Sequence, residues 1–142
     1  MSTERRFIWE EKFSVGVKEL DEQHRQFFAI GNEVLSLLEK KDLRREDVLL
    51  QVTKFGDYVM FHLDTEEGYL RKFDCAVAAE HIKAHDEFRA AVSGFFLKLR
   101  EKDSDFEGIA QQMADFAVGW YGQHILIMDK KYTECFHKNG LW

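Results

Sequence analysis

Seven side chains in this chain have the types and spacing of a metal centre: His24, His62 with Glu66, His81 with His85, and His124 with Asp129. Imidazole nitrogens and carboxylate oxygens are ordinary ligands of first-row transition metals, and five of the six histidines belong to the set. Residues at i and i+4 lie on one helix face, roughly 6 Å apart along the axis. His62–Glu66 and His81–His85 can therefore each address one ion or two adjacent ions. The i+5 spacing of His124 and Asp129 separates them by about 140° around a regular helix. A local widening of the helix, or reach from its last turns, must bring Asp129 inward. A lone histidine on an apolar face is ordinarily a hydrogen-bonded core residue, but here every apolar stripe carries at least one. Seven buried polar groups without metal would each cost on the order of 1–3 kcal/mol. Two metal ions in the middle are the simpler reading.

The sequence between these groups forms the rods that position them. Short polar breaks near Lys40–Arg44, Phe73–Asp74 and Lys102–Asp105 divide the chain into an N-terminal arm and four helical patterns. The first helix is expected from between Val17 and Asp21 to about Glu39, with His24, Phe28, Gly31, Leu35 and Leu38 inward. The second runs from about Leu43 to Lys72 with Asp42 as N-cap, its stripe being Val48, Val52, Phe55, Val59, His62, Glu66 and Tyr69. The third spans about Ala76–Arg100 with Asp74 as cap, and places His81, His85, Phe88, Val92, Phe95 and Leu99 inward. The fourth starts after Ser104, which forms an S-x-x-E capping box with Glu107, and continues to about Phe136. Its stripe is Phe106, Ile109, Met113, Phe116, Trp120, His124 and Ile127. Steps of three and four throughout mark helices with one apolar face, and short connections make successive helices antiparallel neighbours. The expected fold is an all-α, up-down-up-down antiparallel four-helix bundle. A single domain covers residues 1–142, with an N-terminal arm over 1–17 lying across a bundle of about 18–136. In that topology all seven groups converge near one end.

Composition narrows the classes of function. A chain of 142 residues with 45% apolar content suits one globular domain, and 13 Phe with no Pro suit long helices. A formal charge of −6 argues against nucleic acid as partner. No apolar run approaches the roughly 20 residues of a membrane span, and no secretory h-region is present at the start. Cys75 and Cys135 do not make a disulfide framework and are expected as reduced thiols. A cytoplasmic monomer is the resulting expectation. Asp64, Glu67, Glu80 and Asp86 read as solvated, His137 as a surface residue, and Gln23 as a candidate partner orienting a histidine on a neighbouring helix.

The chain resembles the bacterial single-domain haemerythrins over nearly its whole length. The likeness rests on Phe13-Ser14-Val15-Gly16-Val17, Asp21-Glu22-Gln23-His24, His62-x-x-x-Glu66-Glu67, His81-x-x-x-His85 and Trp120-x-x-x-His124-x-x-x-x-Asp129. That family is itself a standard example of the up-down bundle, so the topology is not an independent expectation. The resemblance implies two iron ions bridged by Glu66, Asp129 and an oxo or hydroxo group. It further implies that His81, His85 and His124 complete one iron and that His24 and His62 serve the other. One ion then has six donors and the other five, which leaves a position for dioxygen.

Carboxylate-rich di-iron enzymes favour oxygen cleavage, whereas five neutral imidazoles with two carboxylates favour reversible binding. A non-enzymatic oxygen carrier or store is the leading expectation. The alternatives are a di-iron peroxidase or nitric-oxide-handling enzyme, an oxygen-sensing module, and a metal-free or zinc-loaded structural bundle. Trp120 is expected as a wall of the oxygen pocket. Tyr121 stands where the relatives usually have an aliphatic residue. Its phenol either bonds a backbone carbonyl or water in the core, or faces the open position.

Overall fold

The computed structural model describes residues 7–142, so the first six residues of the expected arm lie outside the described residues. Four long helices form: α1 (Lys18–Leu37), α2 (Arg45–Lys72), α3 (Ala78–Arg100) and α4 (Phe106–Trp120). Beyond α4 the chain widens into a π-helical segment, Tyr121–Met128, tightens into a 3-10 turn, Asp129–Tyr132, and ends in a short α5 (Thr133–Lys138). No strand occurs among the described residues. Each long helix packs on its two sequence neighbours, and α4 closes the ring against α1. This is the expected up-down-up-down bundle.

Local chemistry sets the helix starts, and several differ from expectation. At α2 the Asp47 carboxylate accepts from the Arg44 N–H (3.1 Å) and from Lys40 (2.9 Å), so Arg44 is the N-cap and Asp42 is left exposed. Asp74 does not cap α3; it takes a positive φ of 50° as the chain leaves α2, and the cap position falls to Val77. At α4 the carboxylate of Asp105, not the Ser104 hydroxyl, accepts from the backbone of Gly108 (3.0 Å). The expected single fourth helix is interrupted because the π-helical turns rotate later side chains. Ile127, assigned to the inner stripe, is consequently exposed, and Asp129 is buried in its place.

Two apolar clusters lie on either side of a polar layer. The larger includes Phe27, Phe28, Phe55, Val59, Leu63, Phe88 and Ile125. The smaller gathers Val15, Val17, Leu20, Leu70, Cys75, Tyr132 and Phe136. The candidate ligands fall between the two: His24 separates Leu20 from Phe27, and His62 and Glu66 precede Leu70. The arm lies across the bundle, with Trp9 and Phe13 against Phe28. Val15 N–H donates to Asp21, and Thr133 donates back to the Val15 carbonyl. His137 is half-buried, with its Nε2 2.7 Å from the Gly16 carbonyl and its ring stacked on Trp142.

The cysteines depart from expectation. Cys75, at the turn between α2 and α3, is disulfide-bonded to Cys135 on α5, with Cα atoms 6.0 Å apart. Residue counting could not show this, because the pairing depends on α5 folding back beside that turn. The bond closes a loop spanning 60 residues, which restricts the unfolded chain. Reduction, or Cys135→Ser, is expected to lower unfolding free energy by about 2–4 kcal/mol. Helix content should be unchanged, as read by thermal and denaturant unfolding followed by circular dichroism.

Candidate metal centre

The seven residues identified from spacing meet in one dry layer. His24, His85, Glu66 and Asp129 have no accessible surface, and His62, His81 and His124 are 1–2% exposed. All five imidazoles turn Nε2 inward, and the two carboxylates stand between them. Glu66 presents Oε2 to His24 and His62 (3.3 Å each) and Oε1 to His85 (3.2 Å) and His81 (3.6 Å). Asp129 presents Oδ1 to His124 (2.8 Å) and His81 (2.9 Å), and Oδ2 to His24 (3.0 Å). Each carboxylate thus turns one oxygen toward members of the His81, His85, His124 group and the other toward the His24, His62 group. Within each set the ligand atoms lie within 4.8 Å of one another: His81, His85 and His124 with both carboxylates, and His24 and His62 with both carboxylates.

The π-helical segment is what makes the i+5 pair work. Extra residues per turn carry Asp129 from its regular-helix direction round to the face of His124, and π-bulges recur at functional sites for this reason.

Metal ions fit this layer on direct grounds. His24 Nε2, His81 Nε2, Glu66 Oε1 and both Asp129 oxygens are buried without a hydrogen-bond partner among the described residues. The Nε2 atoms of His85 and His124 face each other at 3.1 Å, so two lone-pair positions converge on one point. A cation between them resolves both observations.

Protons hold the charge when no cation does. Burial pushes His24 and His81 down, yet Asp129 and Glu66 outweigh it and raise them from 6.5 to about 9 and about 10. Burial keeps His62 below its usual value, against Glu66 alone at contact distance. Glu66 and Asp129, which burial pushes up, are held well below the carboxylate range by the surrounding imidazoles.

The outer partners were only partly legible. Gln23 does orient a neighbouring histidine: its Oε1 is 2.7 Å from His62 Nδ1. Glu67, expected in solvent, is instead buried, with Oε2 2.8 Å from His85 Nδ1 and 2.6 Å from the Arg89 guanidinium. An exposed reading failed because Glu67 follows Glu66 and its contacts come from α3. Asp64, Glu80 and Asp86 are exposed. Sequence reasoning missed Tyr132, whose hydroxyl donates to Glu66 Oε2 (2.7 Å). The signal was its place one turn after Asp129, hidden by the irregular helix.

Trp120 stacks on His124, with centroids 3.8 Å apart, so it braces the three-imidazole side. Tyr121 donates its hydroxyl to the Phe27 carbonyl, and burial pushes the phenol well above its usual pKa. Gly31 makes room for it: a Cβ there would come 2.7 Å from the hydroxyl. The Phe27 ring stands between Tyr121 and His62.

Comparison with known proteins agrees with this geometry. A family profile described as "Hemerythrin HHE cation binding domain" matches residues 15–135. The chain is 31% identical over 130 residues to "Bacteriohemerythrin" of Clostridium acetobutylicum, covering 90% of this chain and 99% of that one. It is 26% identical over 126 residues to "Myohemerythrin" of Sipunculus nudus, covering 89% and 90% respectively. The fold matches a crystal structure of wild-type hemerythrin at a TM-score of 0.74 and 23% identity, over 91% of this chain and 96% of that one. The chain belongs to the haemerythrin family.

Two outcomes follow. Metal ligands must be deprotonated, so loading the metal-free protein near neutral pH should expel the protons on His24 and His81. Titration calorimetry in buffers of different ionisation enthalpy reads this directly. The sign for stability is equally defined. The raised histidines stabilise the metal-free fold fully below 6.5, and that contribution disappears as pH climbs through about 9 to 10. The lowered carboxylates stabilise it above their unfolded values near 4, and that contribution is lost on acidification. Separately, Tyr121→Phe should cost about 1 kcal/mol and leave the visible spectrum of the iron-loaded protein unchanged.

Proposed function

We propose that this protein is a non-haem di-iron protein that binds dioxygen reversibly, in the manner of an oxygen carrier or store. In this reading His81, His85 and His124 would hold one iron and His24 and His62 the other, with Glu66 and Asp129 each offering an oxygen to both sides. The observation that carries it is the three-to-two division of imidazoles about two carboxylates that each face both sides. When bound, the two irons supply the electrons that dioxygen binding requires. The protein supplies the asymmetry. The His24–His62 side has one donor fewer, which leaves room for a small ligand there. Phe27 packs at the edge of His62, and with Tyr121 behind it that side is closed by apolar surface that excludes water. Tyr132 and Gln23 fix Glu66 and His62 in place through hydrogen bonds.

All seven ligands come from one chain, so a monomer suffices for the site. Oxygen binding without turnover fits a ligand set of five imidazoles with only two carboxylates. A cytoplasmic location would place the Cys75–Cys135 bond in a reducing compartment, and thiol trapping at lysis reads how much of it persists there. No helix among the described residues is long and apolar enough to cross a membrane.

Anaerobic loading with ferrous iron, followed by optical spectra through removal and return of oxygen, tests the function. Close to two irons per chain and a reversible visible band are expected. His62→Ala should abolish the reversible band while helix content persists. Catalytic consumption of peroxide or nitric oxide in place of a reversible adduct would transfer the chain to the enzymatic alternative.

A further inference from the structure

The two sides of the centre differ in what stands behind their histidines. On the two-imidazole side His62 Nδ1 meets Gln23 Oε1, a neutral amide. On the three-imidazole side His85 Nδ1 meets Glu67 Oε2, a carboxylate. His24 and His124 have no Nδ1 partner among the described residues. Of these four histidines, only His85 is backed by an anion.

That anion is not left bare. Arg89, one turn after His85 on α3, donates Nη2 to the same Glu67 oxygen at 2.6 Å. Asp64 (3.2 Å) and Asp86 (2.9 Å) hold the guanidinium from its solvent side. Arg71 reaches the other Glu67 oxygen at 3.4 Å. The Arg89 side chain is 22% exposed while that of Glu67 is 5% exposed, so the guanidinium closes the carboxylate off from water.

The physical consequence has a sign. With Nε2 turned inward as a ligand atom, a neutral His85 carries its proton on Nδ1 and donates to Glu67. A carboxylate acceptor draws that proton and makes the imidazole a stronger donor, which favours the more highly charged metal. A guanidinium on the same carboxylate oxygen withdraws part of that effect. Glu67 and Arg89 thus push the ion in opposite directions.

We propose that Arg89 is a positioning residue that acts through Glu67 on His85 to set how readily the metal on the three-imidazole side is oxidised. This rests on the di-iron reading above. If it holds, the neutral amide behind His62 and the carboxylate behind His85 make the two ions electronically unequal before any ligand arrives.

The test compares the full-length iron-loaded protein with Glu67→Gln, Arg89→Gln and the double variant, by spectroelectrochemical titration and by iron content. Arg89→Gln is expected to favour the oxidised form about tenfold at fixed potential, and Glu67→Gln to favour the reduced form about tenfold. Each corresponds to a shift of about 59 mV for a one-electron couple, in opposite directions. The double variant should behave as Glu67→Gln alone, because Arg89 has nothing left to act through. A merely structural ion pair between α2 and α3 would instead move both single variants the same way, or move neither potential while lowering stability. Either result overturns the proposal, as does a double variant whose shift is the sum of the two. A second readout does not depend on iron. In the zinc-loaded protein the nitrogen-15 shift of His85 Nδ1 should move oppositely in the two single variants, and equal shifts overturn the proposal. Wild-type protein holding far fewer than two irons would defeat the di-iron reading, while the zinc measurement would still decide the His85–Glu67–Arg89 linkage.

Discussion

Two carboxylates side by side in a dry core are the constraint on which the rest of this structure depends. Glu66 and Asp129 have no contact with solvent, and burial pushes both toward the neutral form, with Glu66 adding to the push on Asp129. Water cannot solvate them, so positive charge must come from neighbours or from bound ions. Five imidazoles answer this in the metal-free state, where His24 and His81 hold protons they would shed in water at slightly alkaline pH. Those protons occupy the positions that cations would fill. Without metal, the two protons offset the two carboxylate charges inside the layer.

The remaining architecture serves that layer. An apolar cluster on each side isolates it, and Val15 and Val17 of the arm, α5 and the Cys75–Cys135 bond close the smaller one. Tyr132 ties the smaller cluster to the layer, since the ring that stacks on Phe136 also donates to Glu66. The π-helical segment and the 3-10 turn after it depart from regular helix where His124 and Asp129 must share a face. Function here overrides local regularity.

Much of this was legible in the residues, for identifiable reasons. Helical periodicity is local, so four stripes with inward histidines could be read directly, and antiparallel packing then placed them at one level. The i+5 spacing announced that either a widened helix or reach from its last turns must bring Asp129 inward, and the structure shows the widening. What stayed hidden was set by contacts between elements. Glu67 looks like any exposed glutamate until α3 brings His85 and Arg89 against it. Cys75 and Cys135 look like idle thiols until α5 returns beside the α2–α3 turn. Tyr121 sits near the site in sequence, but its hydroxyl finds the Phe27 carbonyl on α1, a partner no spacing on α4 could disclose. Helix caps erred by one to three residues, because neighbouring polar side chains at a break offer similar caps until the backbone turn is known.

The most direct test of the central claim is X-ray absorption at the iron edge on the reconstituted protein. The expected signal is a metal–metal vector together with imidazole scattering from five histidines shared over two ions. Isolated iron with no metal–metal vector, or scattering from markedly fewer imidazoles, would contradict a centre built by these seven side chains.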